Sequence, residues 1–275
     1  MKYMIISTTA IIAFLISILS ASVKAQKWEI ENYNVGYRIS EVDAVGNNPT
    51  TIAWLLKKPE AYQRYLNTIT YNSLFGNPEI LLYQTFYMNA EWHKKNASSR
   101  FWKKYRLQTG LLLTQRITQE AGAIGNEGYL SLLSRAYYIN MYALTKNQQF
   151  FGANAGLNRR FGITKKLKFL IGLHAQGSIA VVHYYQQRLD SSTFTPGVGW
   201  NKKTTSLPDL KGKNFFQWQV MAPLGLEYAF LKNRFFFRYE LAPGVIGSRY
   251  RPKGFGSNEA HAAGIFIAYK PKTSG

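Results

Sequence analysis

Cysteine is absent from this chain of 275 residues. That excludes a disulfide framework, a thiolate metal site and any cysteine-borne lipid anchor. Acidic residues are scarce: 14 Asp and Glu stand against 34 Lys and Arg, a formal net charge of +20. Prolines number 9 beside 19 Tyr and 17 Phe, a balance that suits strands with many aromatic side chains better than it suits disorder. Beyond residue 25 no segment approaches 18 apolar residues in a row, which excludes a helical membrane protein. His93, His183 and His261 show no ligand spacing with a carboxylate or with one another, so neither a metal nor a cofactor is expected. Nothing repeats at the period of a solenoid or propeller.

What is present begins with MKYMIISTTAIIAFLISILSASVKA, in which Lys2 supplies a positive start and Ile5 to Leu19 a largely apolar run. The run is short for a spanning helix, and Val23 and Ala25 suit cleavage before Gln26. Residues 1–25 therefore read as an export signal and 26–275 as one domain. With Lys2 and Lys24 removed, the mature chain of 250 residues (275 minus 25) keeps a net charge of +18. In an exported chain that excess points to anionic lipid head groups or polyanions, not to nucleic acid.

The mature chain alternates. Phe216, Trp218, Val220, Ala222, Leu224, Leu226, Tyr228 and Phe230 fall on one face of an extended segment, and Phe235, Phe237, Tyr239 and Leu241 continue the pattern after a polar turn at Leu231 to Arg234. The same period marks Tyr33 to Ile39, Ile80 to Trp92, Tyr105 to Ile117, Phe151 to Leu157, Phe169 to Ala175 and Ala263 to Tyr269. A weaker strand is expected over 67–75 and one of ambiguous phase over 132–145. Residues 49–66, with Ile52, Leu55, Leu56, Tyr62 and Tyr65 near helical spacing and Pro59 between them, predict one or two short helices in the first long connection. The segments 119–131 and 188–213 read as connections.

The prediction is an all-β closed antiparallel transmembrane β-barrel of about ten strands, with eight as the alternative. Several segments exceed the ~9 to 11 residues that a tilted strand needs to cross a bilayer. Their second face mixes Gly, Gln, Asn, Arg and Glu, as a small lumen does. An even count lets the first and last strands pair and leaves no sheet edge in lipid. On this count the turns at Gly76, Gly162 and Leu231 share one side, and the long loops share the other.

The signal segment, PLGLEYAFLKNRFFFRYELAPGV and GIFIAYKP resemble the small bacterial outer-membrane β-barrel proteins, porin-like and OmpA-like in the broad sense. The resemblance implies the bacterial outer membrane, with membrane lipid, lipopolysaccharide and other envelope proteins as partners. Such barrels often finish on an aromatic residue, whereas here Tyr269 is followed by KPKTSG.

Arg106, Arg116, Arg160, Glu227, Arg238 and Glu240 are expected in a lumen network, because charges in a narrow barrel must be paired or solvated. Lys94, Lys95, Arg100, Lys103 and Lys104, together with Arg249, Arg251 and Lys253, are expected at the extracellular end on lipopolysaccharide phosphates; Lys202, Lys203, Lys211 and Lys213 join them. The weak catalytic candidates are His174, Ser178 and Glu227, a set with the residue types of a lipid acyl hydrolase. Four residues along a strand put His174 and Ser178 roughly 13 Å apart, so a non-enzymatic role is favoured. A structural, binding or envelope-complex barrel with a narrow or closed lumen leads, ahead of a small-solute pore and a lipid-modifying hydrolase.

Overall fold

The computed structural model describes residues 28–43, 49–60, 62, 73–75, 80–95, 97–131, 136–251 and 254–271. The expected export signal lies outside them. The strands are β1 (Trp28–Asp43), β2 (Ser73–Phe75), β3 (Ile80–Lys94), β4 (Tyr105–Thr114), β5 (Ile117–Ser131), β6 (Ala136–Gly162), β7 (Leu167–Thr195), β8 (Gly199–Lys211), β9 (Phe216–Met221), β10 (Leu224–Phe230), β11 (Phe235–Arg251) and β12 (Gly254–Tyr269). Two short helices interrupt them, α1 (Pro49–Leu55) and α2 (Arg100–Lys104).

Eight staves close into a ring. β1 pairs with β3, β3 with β4, β4 with β6 and β6 with β7; β7 takes β9 and β10 end to end, both pair with β11, and β12 closes between β11 and β1, every pair antiparallel. Following the partners around from Asn32 leads through Glu91, Gln108, Gly156, His174, Met221, Gly244 and Ala260 to Val42, ten residues further up the starting strand. A stagger of that size on eight strands tilts them by roughly 40° to the barrel axis.

The smaller of the two expected strand counts is the one realised, for two reasons. Residues 73–75 of the weak strand pair with Ser73↔Gly125 to Phe75↔Ala123 on β5, away from the ring. The separate strands expected over 132–145 and 151–160 are one 27-residue strand, β6. The second change cancels the first from β7 onward but inverts β3 and β4. The chain therefore places α2 at the same end as the turns 163–166 and 231–234, and opposite the long connections. Residues 119–131, which read as a long link on the short side, belong to β5 on the long side.

The wall is apolar outside and polar inside. Val35, Phe86, Met88, Leu173, Leu226, Leu241, Ile265 and Ile267 are exposed, while Arg38, Glu91, Asn158, Glu227, Arg238 and Glu240 are buried. That polarity is the reverse of a soluble barrel and defines the transmembrane kind. At the lower end a belt of rings surrounds the wall: Phe101 stacks on Tyr105 at 4.3 Å, Phe230 meets Phe235 at 5.9 Å, and Phe235 meets Tyr269 at 5.2 Å.

Above the rim four strands rise out of the ring. β5 pairs with residues 136–148 of β6, which in turn pair with residues 183–194 of β7, and β8 pairs with 184–195 of β7. An irregularity between Gln149 and Phe150 marks the rim. Most of the connection expected over 188–213 is thus a strand.

Candidate functional site: the plugged lumen and its two mouths

The alternation that points apolar residues at lipid forces every second residue of each stave into a bore about one side chain wide, so the lumen fills with what the sequence places there. At its centre Arg238 Nη2 lies 2.8 Å from both Glu91 and Glu227, and its Nη1 lies 3.5 Å from Glu240. Arg38 holds Glu240 at 2.8 Å. Arg160 reaches Glu91 and, at 2.9 Å, Glu227. Three guanidinium groups and three carboxylates, all but Arg160 at most 2% exposed, form one neutral cluster.

Amides complete the partners of Glu91. Asn32 Nδ2 donates to it at 3.0 Å and Asn158 Nδ2 at 3.2 Å. The Arg38 guanidinium sits 4.9 Å from the Tyr87 ring centre and 5.5 Å from that of Phe266. Phe266 has room for its ring because Gly36 faces it, and any side chain there would overlap the ring. One level higher Tyr87 Oη donates to Gln176 at 2.8 Å, Gln176 bonds Gln219, and Asn154 donates to Asn89 at 2.9 Å.

The upper mouth is closed by apolar side chains. Leu55 of α1 packs with Tyr83, Ile117, Phe150, Ala180, Phe215, Ile246 and Ala260 over the bore. Ile52 on the next face of the helix, with Leu56 just past its end and Tyr62 beyond, packs on Tyr142, Leu144, Tyr185 and Leu210 of the raised strands. The helix expected in the first connection therefore both stoppers the lumen and props the extension. His183 lies just above this stopper. Its Nδ1 is 2.7 Å from the Lys213 carbonyl and its Nε2 is 3.4 Å from the Tyr185 hydroxyl, contacts that suit the neutral ring. Burial is the chief cause that brings its pKa down to about 4, with the Lys213 carbonyl opposing and Lys146 assisting. Burial alone brings Lys146 down to about 8.

The expected site residues are only partly brought together. Arg160, Glu227, Arg238 and Glu240 meet in the cluster. Arg106 lies at the lower mouth, paired with Glu31. Arg116 is a correction: it is exposed at the break between β4 and β5, 5.8 Å from the Tyr184 ring, because the strand leaves the bore there. Of the two members the sequence reading missed, Glu91 carried a signal in the charge count, since four arginines against two glutamates call for a further acid, whereas the signal for Arg38 was its inward phase between Tyr37 and Ile39.

His174 Nε2 donates to Asn158 Oδ1 at 2.7 Å, and Glu227 is taken by Arg160 and Arg238. Ser178 is buried two inward positions above His174 on the same strand, so the three do not assemble as an acyl-transfer set. Lys94, Lys95, Arg100, Lys103 and Lys104 are a second correction. They lie at the lower end, opposite β8 and the upper part of β11, because β3 runs downward. Arg249 and Arg251 belong to the upper part of β11, and Lys253 lies outside the described residues.

The site and the wall together define a transmembrane β-barrel whose lumen holds a buried ion cluster. No protein-family model and no curated protein sequence matches the chain. Among solved structures, the chain is similar to Neisserial surface protein A at 9% identity and a TM-score of 0.32, covering 87% of this chain and 97% of that one. It is similar to Ail, the attachment invasion locus protein of Yersinia pestis, at 7% and 0.32, covering 88% and 100%. It is also similar to the translocator domain of the autotransporter NalP of Neisseria meningitidis, at 8% and 0.20, covering 96% and 98%. The barrel assignment rests on the strand registers and not on these likenesses.

Two outcomes follow from the geometry. Arg238→Leu leaves three buried glutamates with two arginines and is expected to cost about 3–5 kcal/mol in urea unfolding of detergent-folded protein. Arg188→Leu, which removes an exposed pair with Asp190, should change stability by less than about 0.5 kcal/mol. For His183, a pKa held below its ordinary 6.5 means that its contribution is full above about 6.5 and is lost as pH falls toward 4. The protection factors of the backbone amides in residues 183–195, which are exchange rates normalised to the intrinsic rate at each pH, should fall between pH 7.5 and 5, and His183→Phe should remove that fall.

Proposed function

We propose that this chain is a bacterial outer-membrane barrel with a closed lumen, and that its role is structural or binding, exerted through the strands that rise above its upper rim. The observation that carries this reading is the neutral cluster of Arg38, Arg160, Arg238, Glu91, Glu227 and Glu240. It fills the bore at the level where a pore would need passage.

A solute would have to break several buried ion pairs at once and then displace Leu55 and the rings beside it. Removing one partner from such a pair typically costs ~3–5 kcal/mol, which favours a plug over a selective filter. The same geometry weighs against hydrolysis, since the histidine and the carboxylate are each committed to other partners.

Outer-membrane barrels carry short turns on the periplasmic side and long segments outside. On that rule the turns 163–166 and 231–234 face the periplasm, and β5 to β8 face the exterior. Lys202, Lys203 and Lys211 of β8 are exposed on that side, at the end where lipopolysaccharide phosphates would meet lysine. An adhesive surface or a docking face for another envelope protein fits the extension equally well.

Purified protein in planar bilayers is expected to give no steady unit conductance, and sustained openings would overturn the plug. Orientation is tested separately. Lys202→Cys and Lys232→Cys each install the only thiol in the chain. On intact cells a membrane-impermeant maleimide should label the position-202 variant and spare the position-232 variant, whereas the reverse would invert the barrel.

A further inference from the structure

The lower mouth is a cleft of about 410 Å³ between α2 and the base of the β6–β7 hairpin. Six cations line it, Lys103, Lys104, Arg106, Arg159, Arg160 and Lys168, against one acid, Glu31. Two of the six are already neutralised: Arg106 by Glu31, and Arg160 by Glu91 and Glu227. Among the described residues the other four have no carboxylate within ion-pair distance. A half-open site with four uncompensated charges concentrates field on whatever anion enters it.

What positions these cations is aromatic. The Arg159 guanidinium lies 4.4 Å from the Phe161 ring centre and 5.8 Å from that of Tyr105, and the Lys168 ammonium lies 5.3 Å from that of Phe236. A ring face orients a cation without cancelling its charge, and the edge of the guanidinium keeps its donors free. Lys103 and Lys104 close the other wall from the last turn of α2, which Ser99 starts by accepting from the Phe101 amide at 3.3 Å.

We propose that this cleft binds a phosphate group, with the arginine fork and the lysine ammoniums around its oxygens, and that the phosphate belongs to an anionic phospholipid head group. The cation count favours an oxyanion of high charge over a single carboxylate. The lipid source is favoured by position: Phe101, Tyr105 and Phe161, which flank the cleft, belong to the lower belt of rings, and such belts sit at head-group depth. The source, though not the phosphate chemistry, rests on the membrane reading above.

The test has two arms, with detergent-folded protein checked by its heat-dependent migration on gels. In the first, calorimetric titration with pyrophosphate needs no membrane. In the second, protein is incubated with equal amounts of phosphatidylglycerol and phosphatidylcholine, and retained lipid is read by native mass spectrometry. Wild type should retain phosphatidylglycerol preferentially, and Lys103→Gln/Lys104→Gln/Lys168→Gln should lose that preference by about tenfold. Lys202→Gln/Lys203→Gln/Lys211→Gln, at the far end and equal in charge change, should keep it. Pyrophosphate binding without lipid preference would overturn the lipid source and keep the phosphate site. Binding in neither arm, or equal losses in both triple variants, would overturn the site itself.

Discussion

The structure depends on the contact of Arg238 with three carboxylates. Glu227 and Glu240 come from its own hairpin, on β10 and β11, but Glu91 comes from β3, 147 positions earlier in the sequence than Arg238. Backbone pairing closes the wall as a ring, and this cluster ties the wall across its diameter. Buried charge is stabilising only when fully partnered, so each stave that contributes a member must arrive in register with the others. A slip of one residue on β3 would turn Glu91 toward lipid and leave Arg160 and Arg238 short of a partner. The ion cluster therefore selects one registration among the many that the repetitive outer face would allow.

The same logic explains the ends of the bore. Charge is confined to the middle and lower levels, where ion pairs and amides can satisfy it. Above them the filling becomes apolar as soon as α1 is available to supply Leu55. The helix has no long amphipathic face of its own; it is held because Ile52 and Leu56 find Tyr142, Tyr185 and Leu210 on strands that continue past the rim. The stopper and the extension are consequently one packing unit, and the lower mouth, which has no such lid, is where uncompensated charge remains.

Much of the wall was legible because lipid imposes a strict period of two on every stave. The outward residues Tyr33 to Ile39, Phe216 to Phe230, Phe235 to Leu241 and Ala263 to Tyr269 stand in the structure on the face the alternation gave them. The raised strands were not legible for the same physical reason. β8 is exposed along nearly its whole length, so SSTFTPGVGWNKKTTSLP lacks any alternation and reads as a loop. The seam between 145 and 151 reads as a break because KNQQ is an unbroken polar run, although the even-numbered residues from Tyr142 to Asn154 stay buried across it and the backbone runs straight on. Glu91 was missed since EWHKK looks like the polar end of a strand, yet its inward phase opposite Ala90 and Trp92 was available. The lower cleft needed the third dimension, because it joins α2 to residues more than fifty positions later.

The continuity of β6 and β7 through the rim has a mechanical consequence. A load applied at the tip, near Thr195, runs down strands that are themselves wall staves, with no hinge or linker to absorb it. The two strands are paired over their full length, from Tyr137↔Phe194 to Gly162↔Lys168. Pulling the tip away from the membrane would spread tension over the bonds to neighbouring staves β4, β9 and β10, which resist sliding together instead of opening one at a time. Such an arm would transmit force into the bilayer as a stiff rod does, with the whole barrel as its footing.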